Sequence, residues 1–493
     1  MKVVIVSPVL FLPALSIALA QSPTPFALTG SMTTARMGHS ATLLNNGKVL
    51  IAGGFQNVPG GQHCEGSLHW VGGFFLDCVS RVSSAELYDP TTGTFSPTGN
   101  TTGLGLVHTA TLLPSGKVFI NWGNSAELYD PSSGTFTPIE GKVPPGTGTV
   151  LNNGKVLITG PVTDNTGRIL ITGFPATLYD PGNGTFVSTG NYVASPGSLG
   201  EATLLPDGRV LVAGNLGCCY DSGQTEIYNP DSDTFSLTAP VFTQSNGSTV
   251  LMLLTNGKVL AVGGWDVNDD NATPNGAGLY DAAGGTFVTI ENTTMPRQDY
   301  TATLLPNGAV FITGGDYASS STEIYDPVAQ GFLATGDMVS PRRAHTATLL
   351  PDGRVLIAGG LPDSPATTAT AELYTPPSLT PSPALFSLSG DGAGQGAIWH
   401  AATGKIASSS NPATAGDVLS MYTTNLFEGG AIPPQIVVGG RVAEVLFFGD
   451  APGYPGYYQV NFRVPNGVAP GLAVSVRLTY LGRPSNAITI GVQ

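Results

Sequence analysis

The stretch HTATLLPDGRVLIAGG at residues 345–360 decides the fold, because variants of it recur along the chain. It holds two apolar runs joined by Asp352-Gly353, a dipeptide typical of two-residue hairpin turns. The seven copies lie at 39–54, 108–123, 148–160, 201–214, 248–264, 300–315 and 345–360. Self-similarity with a period of about 40–50 residues predicts a repeat architecture.

A second pattern follows each copy and begins as AELYDPTTGTF at 85–95. Its other members lie at 126–136, 176–186, 225–235, 278–287 and 322–332, with a shortened one, AELYTP, at 371–376. The apolar run ending in tyrosine predicts a third strand, and the turn and phenylalanine after it predict a fourth. Four antiparallel strands per repeat are typical of a propeller blade.

The two ends of the repeat array complement each other. The last copy, at 371–376, lacks its fourth strand, whereas PFALTGSM at 25–32 looks like a fourth strand without the other three. Pairing the two would close a ring and remove the exposed sheet edges. We therefore predict a seven-bladed β-propeller over 21–376, with 25–32 completing blade seven.

The repeats resemble a known family. Gly-Gly pairs end several copies, at 53–54, 263–264, 314–315 and 359–360, and a tyrosine follows downstream in each repeat. These features resemble kelch repeats, in the sub-type of bacterial galactose-oxidase-like propellers. The resemblance implies the propeller fold, but a fold alone does not fix an activity.

The repeat disappears in the C-terminal part. Residues 377–394 are rich in Pro, Ser and Gly and predict a linker. Residues 395–493 hold at least six short apolar segments separated by turn residues, which predicts an immunoglobulin-like β-sandwich and makes the whole chain all-β. This part is similar to an uncharacterised domain that ends many secreted bacterial proteins, which implies an accessory or surface-presenting role.

The N-terminus predicts export. Residues 1–20 contain Lys2, a long apolar run and the cleavage signal Ala18-Leu19-Ala20, as in a signal peptide; an uncleaved anchor is the alternative. No later segment has the length of apolar residues that a membrane span needs. We expect a secreted, extracellular or cell-surface protein.

Charge limits the partners. Only 11% of the residues are charged and the formal net charge is −14, which disfavours nucleic acid because phosphates require a positive surface. A carbohydrate or a protein remains as ligand, and we expect a monomer.

The four cysteines allow three pairings. We favour a disulfide between Cys64 and Cys78, which would close a loop. Cys218 and Cys219 are adjacent, and either a vicinal disulfide or two free thiols fits them.

Histidines recur at one place in the repeat, eight residues before the turn glycine. His39, His108 and His345 stand there, with Tyr300 in blade six, so four consecutive blades would bring them to one mouth of the channel. Imidazole suits copper, zinc or nickel, which makes these three histidines candidate metal ligands. The alternative is that each histidine bonds its neighbours as part of the repeat.

The family resemblance sharpens the copper hypothesis. Galactose-oxidase-like enzymes have a Tyr-His doublet at this position, but Gly38, Val107 and Ala344 precede the histidines here. The missing doublet disfavours catalysis. We predict that no cofactor is needed, with copper as the alternative.

Further candidates surround the same mouth. Arg36, Arg297, Arg342 and Arg343 precede the histidine position by two or three residues and would hold polar ligands or pair locally. Tyr300 and Trp70, the latter in the insertion at 55–81, complete the predicted ligand-binding set.

In the C-terminal domain, Tyr454, Tyr457 and Tyr458 form either an exposed binding patch or core and turn residues. The first hypothesis for the whole chain is a binding or scaffold protein for carbohydrate or protein. The alternatives are a copper-dependent oxidase of sugar alcohols or aldehydes, and a structural spacer.

Overall fold

A computed structural model describes most of the chain. The described residues are 24–57, 69–71, 74–76, 79–103, 109–123, 125–141, 143–160, 175–193, 201–213, 225–239, 249–263, 276–295, 297, 299–315, 319–363, 366–427 and 429–493. Regular structure in these ranges consists of β-strands. None of these residues belongs to a helix long and apolar enough to cross a bilayer.

The predicted seven-bladed propeller is confirmed. Its strands are β1 (Phe26–Leu28); β2 (Ser40–Leu43), β3 (Val49–Ala52), β4 (Phe55–Asn57), β5 (His69–Val71), β6 (Phe74–Leu76), β7 (Val79–Arg81), β8 (Ala85–Asp89) and β9 (Thr94–Pro97); β10 (Thr109–Leu112), β11 (Val118–Asn121), β12 (Ala126–Asp130) and β13 (Thr135–Ile139); β14 (Thr147–Val150), β15 (Val156–Thr159), β16 (Pro175–Asp180) and β17 (Thr185–Asn191); β18 (Glu201–Leu204), β19 (Val210–Ala213), β20 (Thr225–Asn229) and β21 (Thr234–Thr238); β22 (Val250–Leu253), β23 (Val259–Val262), β24 (Ala277–Asp281) and β25 (Thr286–Thr289); β26 (Thr301–Leu304), β27 (Val310–Thr313), β28 (Ser321–Asp326) and β29 (Gly331–Asp337); and β30 (Thr346–Leu349), β31 (Val355–Ala358) and β32 (Ala371–Tyr374).

Each blade is a four-stranded antiparallel sheet. Blade one has the order β2-β3-β8-β9, while β4 pairs with β7 and β5 with β6 in its insertion. The second strand of every blade is buried along its whole length, as in Val355–Ala358, because neighbouring blades cover both of its faces. This explains why the second run of each repeat is continuously apolar.

The turn inside each repeat differs from the predicted two-residue hairpin. In blade seven the Leu350 amide donates to the Arg354 carbonyl at 2.7 Å, which leaves the three residues 351–353 in the loop. Gly353 has a φ of +92°, a conformation that strains residues with a side chain. A type I turn followed by such a glycine is the usual three-residue solution.

The recurring tyrosine joins neighbouring blades. Tyr88, Tyr129, Tyr179, Tyr228, Tyr280, Tyr325 and Tyr374 are all buried. The Tyr129 hydroxyl lies 2.9 Å from the Thr98 hydroxyl of the preceding blade, and the Tyr280 hydroxyl lies 2.7 Å from that of Thr238. In these two blades the tyrosine ring packs in the core between blades, and its hydroxyl bonds to the preceding blade.

The ring closes where the sequence predicted. β1 pairs antiparallel with β32, so the first described strand completes blade seven. The innermost strands β2, β10, β14, β18, β22, β26 and β30 contact one another in that order, and β30 contacts β2.

The C-terminal domain is a curled, sandwich-like sheet. Its strands are β33 (Ile398–His400), β34 (Val418–Thr423), β35 (Gln435–Val438), β36 (Arg441–Asp450), β37 (Tyr458–Arg463), β38 (Gly471–Tyr480), β39 (Arg483–Pro484) and β40 (Ile488–Val492). The order is β33-β34-β37-β36-β35-β38-β39, with β40 paired to β38, around one apolar core. Leu385, from the predicted linker 377–394, lies in that core, so part of this segment packs with the strands that follow.

The C-terminal domain sits against one end of the propeller. The Ala431 amide donates to the Thr255 carbonyl at 2.6 Å, and Arg477 donates to the Asn45 carbonyl at 3.2 Å. Both propeller residues belong to turns between the first and second strands of a blade. The beginnings of the innermost strands therefore gather at the opposite end, away from this domain.

Candidate functional site

The candidate site is the channel end formed by the starts of the seven innermost strands, called here the channel entrance. The residues just before these strands are His39, Gly146, Thr249, Tyr300 and His345. His108 and Gly200, which the sequence places in the same ring, lie outside the described residues. The first strand residues are Ser40, Thr109, Thr147, Glu201, Val250, Thr301 and Thr346.

His345 is buried and held toward the neighbouring blade. Its Nε2 lies 3.1 Å from the Thr301 hydroxyl of blade six. Burial lowers the pKa of His345 to about 3, and the positive charges of Arg342 and Arg297 lower it further in the same direction. The imidazole is therefore neutral at physiological pH.

His39 and Tyr300 repeat this arrangement. The Nε2 of His39 lies 2.9 Å from the hydroxyl of Thr346 in blade seven. The Tyr300 hydroxyl donates to the Val262 carbonyl of blade five at 2.7 Å. Burial raises the pKa of Tyr300, so its proton stays on the hydroxyl. All three side chains reach the preceding blade instead of meeting at one point on the axis.

Paired glycines make room for these histidines. Gly314 has a φ of +69°, and a Cβ there would lie 2.6 Å from Cε1 of His345. Gly359 stands in the same relation to His39, with a distance of 2.8 Å. The Gly-Gly signature thus has a steric cause, since a side chain at either position would displace the histidine of the next blade.

Three of the four predicted ligand-binding arginines lie in buried ion pairs. Arg342 is 0% exposed, and its Nη2 donates to Glu372 at 2.7 Å while its Nη1 donates to the Gly359 carbonyl at 2.9 Å. The equivalent pairs are Arg36 with Glu86 at 2.9 Å and Arg297 with Glu323 at 2.7 Å. Burial lowers the pKa of Arg36 and of Arg342, and the partner carboxylates oppose that shift. These arginines tie the segment before each blade to its third strand.

Arg343 is also buried, and its amide donates to the Leu361 carbonyl at 3.1 Å. Burial raises the pKa of Asp299, and the positive charge of Arg343 opposes the rise. The two groups therefore interact electrostatically.

Glu201 was missed by the sequence analysis. It is the only ionisable residue in the seven innermost strands, all of which the structure describes. Burial raises the pKa of Glu201 to about 7, and its charge contributes to the raised pKa of Tyr300 from across the channel entrance. The signal was present in the aligned copies, where EATLL stands in place of TATLL.

Several predicted residues cannot be placed. His108, Cys64, Cys78, Cys218 and Cys219 lie outside the described residues, and so does the side chain of Trp70 on β5. The disulfide between Cys64 and Cys78 stays a prediction.

The described side chains do not fit a copper ion. Copper would need imidazole or phenol groups that converge, but His39, His345 and Tyr300 each bond to a different blade. Among the described residues, no three His, Cys, Asp or Glu side chains form a group that would hold a metal ion.

Comparison with known proteins supports the fold. The chain is similar in structure to a fungal alcohol oxidase of the AA5 family, solved in complex with copper, with a TM-score of 0.57 and 16% sequence identity. The similarity covers 95% of this chain and 98% of that one. No protein-family model matches the sequence, and no curated protein matches it. At this identity the similarity supports the propeller fold alone.

Proposed function

We propose that this chain is a secreted or surface-associated binding and scaffold protein, with a carbohydrate or a protein as its ligand. The observation behind this proposal is the direction of the side chains at the channel entrance. His39, Tyr300 and His345 serve as bonds between blades. A ring of blades held rigid by such bonds is suited to hold a ligand over the channel entrance.

Glu201 is the group at the channel entrance that we assign to the ligand. No hydrogen bond to its carboxyl group is found within the described residues, and hydroxyls of Thr301 and Thr346 stand in the same ring. A carboxyl group with a pKa of about 7 accepts hydrogen bonds from sugar hydroxyls or protein amides above neutral pH and donates one below it. Ligand sites commonly combine an enclosed shape with a few such polar groups.

A copper-dependent oxidase is the second candidate, since the fungal structure named above is an alcohol oxidase in complex with copper. In this chain such a centre would require His108 or cysteines that lie outside the described residues. A structural spacer is a third candidate, which would present the C-terminal domain without a ligand of its own.

A glycan array tests the proposal. The mature chain, Glu201→Gln and the exposed control Glu444→Gln are applied to the same array. We expect retention on a defined set of glycans that Glu201→Gln weakens and Glu444→Gln leaves unchanged. Oxygen consumption with galactose or benzyl alcohol by the copper-treated protein, lost in His345→Ala, would instead favour the oxidase. An array without retention contradicts the carbohydrate part of the proposal.

A further inference from the structure

The two faces of the C-terminal sheet carry different side chains, which are aromatic and polar on the outer face and apolar on the inner face. Residues that face each other across antiparallel strands lie on the same side of a sheet. Trp399 faces Ser420, Tyr422 faces Gln459, and Asn461 faces Ser420 from the other side. Leu419, Met421, Val460 and Phe462 alternate with them and lie in the core. The first set therefore occupies the outer face.

Aromatic rings form a row along this face. The ring centroids of Trp399 and Tyr422 are 5.8 Å apart, and those of Tyr422 and Tyr454 are 6.1 Å apart. A second ring contact joins Tyr457 and Phe386, with centroids 5.6 Å apart. Tyr454 is 60% exposed and Tyr457 is 42% exposed.

Phe447 stands at the opposite margin because of a β-bulge. The register of β36 against β37 shifts between Val445 and Phe447, so Leu446 has no partner. A bulge re-aims the neighbouring side chains, and Phe447 is 45% exposed as a result. A Cβ at Gly449 would lie 3.2 Å from Cζ of Phe447, so the tip of the ring reaches Gly449.

Amide and hydroxyl groups fill the space between the aromatic margins. The Nε2 of Gln459 donates to the Ser420 hydroxyl at 3.2 Å and to Oδ1 of Asn461 at 3.0 Å. These bonds fix the three side chains and leave Oε1 of Gln459 and Nδ2 of Asn461 without a partner among the described residues. A fixed acceptor and a fixed donor thus point outward between the rings.

Charge on this face is low. The outward residues of β34 and β37 named above are neutral, and the Arg463–Glu444 pair at the end of the strands neutralises itself at a distance of 2.9 Å. Such a face does not attract a charged partner.

We propose that this face, formed by Trp399, Tyr422, Tyr454, Tyr457, Gln459 and Asn461, binds a neutral polysaccharide chain. The C–H face of a pyranose ring is apolar and slightly positive, and it stacks on the negative face of an aromatic ring. The sugar hydroxyls match the outward amide groups. The four strands from β33 to β36 span about 14 Å, from three spacings of about 4.8 Å, which is wide enough for more than one sugar unit. A protein partner would contact the same aromatic rings, but its surface would not specifically match the neutral amide groups between them.

This inference goes beyond the proposed function, because the face lies in another domain than the channel entrance. Rigid amphipathic aromatic side chains are efficient binding residues because little conformational entropy is lost on contact. The two sites would allow one chain to join a polysaccharide to a second ligand.

Affinity electrophoresis tests the proposal on the full mature chain. The gels contain hydroxyethylcellulose, xylan, glucomannan, starch or laminarin, with alginate as an anionic probe, and depletion assays use cellulose and chitin. We expect at least one neutral polysaccharide to retard the protein. Tyr422→Ala and Tyr454→Ala should each weaken this binding about tenfold. The control Leu472→Ala, 76% exposed in β38, should bind as the wild type does.

A second readout separates binding from misfolding. Soluble oligosaccharides of the bound polymer should change the tryptophan fluorescence of the wild type, and Trp399→Phe should lose that change while still binding. Carbohydrate binding that Glu201→Gln weakens and Tyr422→Ala leaves unchanged belongs to the channel entrance, so failure there and failure here are distinguishable. Retardation by no neutral polysaccharide, retardation by alginate alone, or unchanged binding by Tyr422→Ala and Tyr454→Ala would overturn the proposal.

Discussion

Phe26 pairs with Tyr374 across 348 positions of sequence, in antiparallel register and with ring centroids 5.1 Å apart. Phe26 also lies 6.3 Å from the ring of Phe311 in blade six. The first strand thus closes the last blade through both backbone hydrogen bonds and aromatic packing. The pairing covers the edge of β32, which an incomplete blade would expose to aggregation.

Phe26→Ala should destabilise the propeller strongly. Phe26 is 3% exposed, and removing a buried phenylalanine side chain costs about 3–5 kcal/mol. Urea unfolding followed by tryptophan fluorescence measures the loss. Leu28→Ala is the matched control, because Leu28 lies in the same strand with 60% exposure and should change the unfolding free energy by less than about 0.5 kcal/mol. Equal effects of the two variants would contradict closure by β1.

Glu372→Gln should cost about 3–5 kcal/mol of unfolding free energy, because it leaves the buried charge of Arg342 without its partner. The exposed pair of Arg463 and Glu444 gives the comparison. Glu444→Gln should cost less than about 1 kcal/mol, since solvent screens that pair. The two variants are compared by thermal and urea unfolding in the same buffer. A ligand role for Arg342 without a structural one predicts instead that Glu372→Gln unfolds like the wild type.

Glu201 should make the propeller less stable as pH rises. Its folded pKa of about 7 lies above the ordinary value of 4.5, so the folded state binds more protons than the unfolded state between these values. The unfolding free energy contributed by Glu201 therefore falls from pH 4.5 to pH 7 and is constant above, by at most about 3 kcal/mol.

Glu201→Gln isolates this effect from the other titrating groups. The variant should equal the wild type near pH 4.5 and exceed its stability at pH 8, as measured by urea unfolding at both pH values. Glu201→Thr, which installs the residue of blades two, three, six and seven, should behave in the same way. A difference that grows toward low pH would contradict burial of the carboxyl group.

The repeat made most of the fold predictable. Each copy contains its own strand pattern and turn glycine, and the surplus segment before Met32 matches the strand missing after Tyr374. These signals are local in the sequence, and together they determine how the blades form and how the ring closes. The three-residue turn was not predicted, because Asp352-Gly353 occurs in two loop lengths and the register of Leu350 decides between them.

The site was only partly predictable. The repeat alignment predicts that His39, Tyr300 and His345 occupy the same position in their blades. The directions of the two histidine side chains, however, depend on Gly314 and Gly359 of the preceding blades. The burial of Arg36, Arg297 and Arg342 follows from glutamates in the third strands, and a carboxylate within an apolar run such as AELY was the signal for it. The aromatic face depends on the pairing of β33 with β34, which brings Trp399 next to Tyr422, and this part of the chain has no repeat that would indicate the pairing.

Metal analysis of the purified chain tests the central claim, that this propeller binds a ligand without a copper centre, most directly. Wild type, His345→Ala and His39→Ala are incubated with Cu²⁺, freed of excess metal, and examined by elemental analysis and electron paramagnetic resonance. We predict the same substoichiometric copper in all three, with no ordered Cu²⁺ spectrum. One copper per chain in the wild type, lost in both variants, would contradict the account.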